Sequence, residues 1–291
     1  MPATNAISIA NSQLKIMKHP IKSFAAGLFI FACLQNVNAS IVDTVDTYSP
    51  SMKKTIKAVV ITPDNYATAQ ALPVVYLLNG YSGNYRSWIA GAKDIKTAVD
   101  LNQMIIVCPD GNNSWYWDSP VDPDYKYETY VSSELVKWVD SKYKTIKDKK
   151  GRGITGLSMG GHGGLYLAIK HPDVFGAGGS MSGGVDIRPF PNSWDMSLRL
   201  GKYDEHPDNW EKYTVINLLY LIKPNSLALI IDCGTEDFFF KVNENLHQQM
   251  LYRNIAHDYI TRPGAHNWNY WANAVQYQLL FMSNFFKSQP K

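Results

Sequence analysis

The chain has 291 residues, 45% of them hydrophobic, with 28 lysines and arginines against 25 aspartates and glutamates. Residues 1–39 hold Lys15, Lys18 and Lys22 and no acid, so beyond them 25 basic residues face 25 acidic ones and the formal net charge is zero. A duplex-binding protein needs a basic surface, and this balance supplies none, which excludes nucleic acid as a partner.

Residues 1–39 read as a secretory signal peptide. Met17-Lys18-His19-Pro20-Ile21-Lys22 is a basic n-region, with Met17 as an alternative start to Met1. Phe24 to Leu34 is an apolar run too short to span a bilayer stably. Val37-Asn38-Ala39 places small residues at a cleavage site before Ser40. Ile30-Phe31-Ala32-Cys33 loosely resembles a lipoprotein processing site, but Phe31 fits poorly. A secreted or periplasmic protein is therefore expected in preference to one anchored at Cys33. Residues 40–291 suit one α/β domain with a full hydrophobic core. No second apolar span, repeat or linker interrupts them.

Lys57 to Pro63 reads as an early strand, and Leu72-Pro73-Val74-Val75-Tyr76-Leu77-Leu78 as the first strand buried on both faces. The latter ends in Asn79-Gly80-Tyr81-Ser82-Gly83, a glycine-bearing loop able to aim a backbone N–H at a developing oxyanion. Met104 to Gly111 is the next buried strand. Asn112-Asn113-Ser114-Trp115-Tyr116-Trp117-Asp118 follows it at the carboxyl end, where open α/β sheets bind ligands. Trp115 and Trp117 are accordingly expected to touch substrate. Tyr127 to Tyr143 is an amphipathic helix, with Tyr127, Val131, Leu135, Trp138 and Val139 on one stripe, which reads as core packing.

Arg152 to Gly161 carries Gly156-Leu157-Ser158-Met159-Gly160, a G-x-S-x-G nucleophile elbow between a short strand and a helix that starts near Met159. Gly151, Gly153 and Gly156 also fit G-x-G-x-x-G, but the strand lies inside that motif and no acid sits about twenty residues on. The dinucleotide reading is discarded. Ala177 to Gly183 is a further strand and turn, and residues 185–225 read as an irregular insertion over the site. Leu227 to Asp232 is a buried strand leading into Cys233-Gly234-Thr235-Glu236-Asp237. His257 to Arg262 is the last strand, followed by Pro263-Gly264-Ala265-His266-Asn267-Trp268 and a closing helix, Trp271 to Phe286.

Ser158, then an acid, then His266, each on a loop after a strand, is the chain order of an α/β-hydrolase triad. The histidine takes the serine proton, and a carboxylate fixes its tautomer and supports its cationic form. Asp237 is the chosen acid, since Asp232 is still on its strand and Glu236 falls one residue short of the loop's turn. Cys108 and Cys233 end strands expected four places apart, roughly 19 Å at sheet spacing, which is too far for a disulfide. No His/Cys/Asp cluster has metal-ligand spacing, so neither metal nor cofactor is expected.

Leu77-Leu78-Asn79-Gly80-Tyr81-Ser82-Gly83 with Trp88, Gly156 to Gly161, Cys233 to Asp237, and Gly264-Ala265-His266-Asn267-Trp268 with Trp271 together resemble the esterase D group of α/β-hydrolases. That group includes S-formylglutathione hydrolases, tributyrin esterases, feruloyl and acetylxylan esterases of carbohydrate esterase family 1, and mycobacterial mycolyltransferases. The resemblance spans roughly residues 55–290. It implies an α/β-hydrolase fold, Ser158 as nucleophile, Asp237 as acid, His266 as base, and the N–H groups of Tyr81 and Met159 as oxyanion donors. Asn79 departs from the histidine common before that glycine, which leaves the support of the loop in question. With export and aromatic loops, the expectation is a secreted serine carboxylesterase releasing feruloyl or acetyl groups from plant-wall polysaccharide, with a general short-chain or S-formylglutathione-type esterase as an alternative. Trp88, Trp115 and Trp117 are expected as walls for a feruloyl group. Acyl transfer on the same triad and a carbohydrate-binding protein with a relic site are the competing readings.

Overall fold

Eight strands form one sheet in the spatial order β1-β2-β4-β3-β5-β6-β7-β8 in the computed structural model, which describes residues 40–289. The signal-peptide reading and Cys33 fall outside the described residues. The strands are β1 Ile41–Ser49, β2 Lys54–Thr62, β3 Val74–Leu78, β4 Ile105–Pro109, β5 Arg152–Gly156, β6 Ala177–Met181, β7 Ala228–Gly234 and β8 Asp258–Arg262. β1 with β2 and β2 with β4 pair antiparallel, and every pairing from β4 across to β8 is parallel.

Side chains alternate across a strand, and here both faces are covered. Val74, Tyr76 and Leu78 of β3 join one core while Val75 and Leu77 join the other, and β4 divides in the same way. The nine α-helices among the described residues are α1 Ser87–Gly91, α2 Ile95–Asn102, α3 Tyr127–Thr129, α4 Leu135–Lys142, α5 Met159–Lys170, α6 Met196–Leu200, α7 Pro207–Tyr213, α8 Phe240–Tyr252 and α9 Trp268–Ser288. Apolar residues of α4, α5 and α8 fill one core, and those of α1, α2 and α9 fill the other.

The amphipathic stretch from Tyr127 forms α3, a wide π turn at Tyr130–Glu134, and then α4. Tyr127, Val131, Leu135 and Val139 are buried as expected, whereas Trp138 is only partly covered. Within the insertion, α6, α7 and a 3-10 segment, Val215–Leu221, are packed on buried Met196, Leu200 and Trp210. Cys108 and Cys233 are both free and buried, on strands four places apart. Among the described residues, no helix is long and apolar enough to cross a membrane.

Candidate active site

The elbow places Ser158 between β5 and α5 with φ 55° and ψ −117°. Its N–H donates to the Met181 carbonyl at 2.8 Å, which ties the turn to the end of β6. The turn is too tight for side chains on either flank. A Cβ on Gly156 would lie 2.6 Å from the Leu78 oxygen, and one on Gly160 2.5 Å from that same atom.

The loops after β7 and β8 bring the other two residues to this serine. The Thr235 N–H donates to Arg262 and the Glu236 N–H to Gly264, so the acid and base loops are held side by side. Asp237 is buried; its Oδ1 accepts the Phe239 N–H and its Oδ2 lies 2.8 Å from His266 Nδ1. His266 Nε2 lies 2.9 Å from Ser158 Oγ. An ionised carboxylate only accepts, so Nδ1 carries the hydrogen and Nε2 is left to accept the serine hydroxyl. The rings of Phe238, Phe239 and Trp271 enclose the imidazole at centroid distances of 4.2, 5.5 and 4.8 Å. The structure thus brings Ser158, Asp237 and His266 into one hydrogen-bonded chain.

The two acids set aside lie elsewhere. Glu236 is exposed. Asp232 is fully buried on β7, where it accepts from Arg262 at 2.7 Å and from the Tyr270 hydroxyl. Burial raises the Asp232 carboxyl above its ordinary value, and the Tyr270 and Arg262 hydrogen bonds oppose that rise. It is a structural anchor between β7, β8 and α9.

Tyr81 lines the same cleft as Ser158, and Met159 follows the serine directly in the chain. Met159 is the first residue of α5, whose leading N–H groups have no intrahelical acceptor. The loop after β3 approaches the elbow so closely that a Cβ on Gly80 would sit 3.4 Å from the Ser158 Cβ. Asn79 answers the question of loop support. It is buried; its Nδ2 donates to the Gly80 carbonyl, its Oδ1 accepts the Gly111 N–H at 2.9 Å, and the Tyr116 hydroxyl caps it. The amide side chain ties this loop to the loop after β4.

The three tryptophans expected to meet substrate do not reach the cleft. Trp88, Trp115 and Trp117 are 0%, 1% and 0% exposed. Trp88 Nε1 donates to the Leu78 carbonyl beneath the site. Trp115 and Trp117 stack on each other at 5.5 Å, and both meet the edge of His162. The reason is local: Asn112, Trp115 and Tyr116 all have positive φ, so the chain doubles back and sends the rings inward. The rings are core.

A cleft of about 470 Å³ opens on Ser158 and His266, and different aromatics wall it: Trp194, Phe238, Trp268 and Trp271, with Tyr81. Trp194 comes from the insertion and stacks on Phe238 at 5.6 Å with planes 16° apart. Trp268 and Trp271 come from the start of α9. The sequence offers one signal for this wall, the run Phe238-Phe239-Phe240 directly after the acid, and in the structure Phe238 is 53% exposed. Among the described residues no group of three His, Cys, Asp or Glu side chains could hold a metal ion.

Comparison with known proteins gives the family and the fold. A family model described as "Putative esterase" matches residues 49–282. An acetyl esterase of Caldicellulosiruptor saccharolyticus is 24% identical over 80% of this chain and 96% of its own length. A diacylglycerol acyltransferase/mycolyltransferase Ag85B of Mycolicibacterium smegmatis is 24% identical over 78% of this chain and 80% of its own. A solved ferulic acid esterase superposes with a TM-score of 0.73 at 28% identity, covering 85% of this chain and 99% of that one. The mostly parallel sheet with helices on both faces is the α/β-hydrolase fold.

Proposed function

The chain belongs to this esterase family and is a serine hydrolase acting on carboxylic esters; from that premise we propose that Ser158, His266 and Asp237 are its catalytic triad and that its natural substrate is an aromatic acyl ester of a carbohydrate. The Ser158 oxygen attacks the ester carbonyl as His266 Nε2 takes its proton. Asp237 holds the imidazole in that tautomer and supports the imidazolium. The N–H groups of Tyr81 and Met159 stabilise the tetrahedral oxyanion, worth about 3 kcal/mol for a well-placed donor. His266 then returns the proton to the departing alcohol, and water releases the acid by the same steps in reverse.

The observation that carries the acyl assignment is the aromatic wall of the cleft. Trp194, Phe238, Trp268 and Trp271 surround the nucleophile's mouth. A feruloyl ring gains from burial and offset stacking there, about 0.5–1.5 kcal/mol for each good ring pair, while an acetyl group gains almost none. The ferulic acid esterase likeness supports the same reading. Acetate esters are the competing substrate, because a curated relative is named an acetyl esterase. A panel of methyl ferulate, acetylated xylan and short nitrophenyl esters separates the two. Methyl ferulate should lead acetate by about tenfold or more in kcat/KM; an acetate preference overturns the feruloyl assignment and leaves the esterase standing.

The same proposal includes export. The basic n-region, the short apolar run and Ala39 support cleavage before Ser40, with the enzyme acting on plant-wall esters outside the cytoplasm. Sequencing the N-terminus of the exported protein tests it, and a lipid-modified start at Cys33 would refute free secretion.

A further inference from the structure

We propose that Asp195 is a positioning residue for the oxyanion loop, acting through its hydrogen bond to the Tyr81 hydroxyl, so that the insertion over the site sets both the acyl wall and the oxyanion donor. This rests on the reading of the Tyr81 N–H as an oxyanion donor.

The Tyr81 hydroxyl donates to Asp195 Oδ2 at 2.8 Å. The two residues come from loops far apart in sequence, one after β3 and one in the insertion between β6 and β7. The loop around Tyr81 is otherwise pinned on both sides. Asn79 anchors its start, the Gly83 N–H closes a turn on Gly80, and the Ser82 N–H donates to Asn113 Oδ1 at 2.9 Å. Tyr81 is the residue between those anchors, and its own tie runs through the phenol. The Asp195 hydrogen bond, followed by partial burial, raises the phenol's pKa.

On the other side, Asp195 is held in an unusual place. Trp194 and Asp195 have φ 51° and 55°, two successive non-glycine residues in the left-handed region. Such a pair persists only where surroundings hold it. Here the Trp115 Nε1–H donates to the Trp194 carbonyl at 3.1 Å, and the Trp194 ring lies on Phe238. The strained turn therefore does two things at once: it lays Trp194 along the cleft and aims a carboxylate at Tyr81. Trp115, buried behind the cleft lining, has a function in this arrangement as the prop of the turn.

Catalysis depends on donors fixed where the oxyanion forms, and a displacement of about 1 Å can cost on the order of 10²-fold. Losing one oxyanion donor outright costs about 10²–10³-fold. Freeing Tyr81 from its tie should cost less than that, about tenfold.

The test is a double-mutant cycle on the whole protein with nitrophenyl acetate, whose acetyl group gains almost nothing from stacking on the aromatic wall. Tyr81→Phe removes only the hydroxyl. Asp195→Gly removes the acceptor and accepts positive φ; Asp195→Asn keeps both an acceptor and a tolerance for that conformation. Tyr81→Phe and Asp195→Gly should each lower kcat about tenfold with KM unchanged, and the double variant should be no worse than either. Asp195→Asn should stay within about threefold of wild type. Affinity for a trifluoromethyl ketone, which forms the oxyanion, should fall in parallel with kcat. Wild-type kcat in Tyr81→Phe, additive losses, or a loss confined to KM would each overturn the proposal. Native protein inert to every ester and to a fluorophosphonate would sink the triad reading and this tie together. An active native enzyme beside an equally active Tyr81→Phe sinks the tie alone.

Discussion

Ser158 sits at a φ and ψ that cost a non-glycine residue on the order of 1–3 kcal/mol, and the elbow holds it there with hydrogen bonds and two flanking glycines. That strain puts Oγ within 2.9 Å of His266. Ser158→Ala should leave a folded protein with esterase turnover reduced on the order of 10⁴-fold or more, read as kcat on a nitrophenyl ester. Asp237→Asn leaves the geometry but removes the charge beside the imidazole and invites the wrong tautomer, so kcat should fall about 10⁴-fold. Asp232→Asn should behave differently, because Asp232 pairs with Arg262 and Tyr270 rather than with His266. Removing that charge strands a guanidinium and should lower stability by about 3–5 kcal/mol while the surviving folded fraction keeps its kcat. A chemical melt alongside single-turnover kinetics distinguishes the two aspartates. Near-native turnover in Asp237→Asn would mean that another carboxylate supports His266.

At the scale of elements, loops decide what the cleft recognises. Trp194→Ala and Phe238→Ala should each shrink the ratio of kcat/KM for methyl ferulate over acetate, by about tenfold at most, because each opens one wall of the cleft. Trp117→Ala should leave that ratio alone and instead cost about 3–5 kcal/mol of stability, since its ring is buried between Trp115 and His162 and its Nε1–H has a partner at 2.8 Å. The contrast shows what the sequence could and could not reveal. Strands β3 and β4 are buried on both faces and read as apolar runs, as β7 does up to Asp232. β1 carries no such run. It is an edge strand, mostly exposed, and its Asp43, Thr44 and Asp46 mask its pairing with β2. The triad is legible because chain order and the loops after successive strands constrain where its members lie. The direction of a ring in a loop is not so constrained. Trp115 and Trp194 look alike in sequence; backbone turns of positive φ send one into the core and lay the other along the cleft.

The fold as a whole stores its aromatic core around a neutral imidazole, and this makes the molecule acid-sensitive. His162 is fully buried on α5 and accepts the Trp117 Nε1–H at Nε2, while Nδ1 faces the Gly184 carbonyl at 2.9 Å. Nε2 must therefore keep its lone pair, and a proton there would set two donors against each other. Burial pushes the His162 pKa down to about 4, with the Gly184 hydrogen bond opposing. Between about pH 6.5 and pH 4 the unfolded chain binds a proton that the folded chain does not, so stability falls as pH drops through that window. At about 1.4 kcal/mol for each pKa unit the loss approaches roughly 3 kcal/mol, a large share of a typical domain's stability. Glu128 continues the trend at lower pH. Burial raises its carboxyl, but hydrogen bonds from His171, Lys170 and Tyr166 outweigh burial and hold it at about 2. Its contribution is complete above about pH 4.5 and disappears as pH falls toward 2. Urea melts from about pH 7 to about pH 4 should show the midpoint falling steadily, whereas His162→Gln, which keeps a donor and an acceptor but does not titrate, should flatten the slope above about pH 4.5. An unchanged slope in that variant would assign the acid sensitivity to groups other than the buried imidazole.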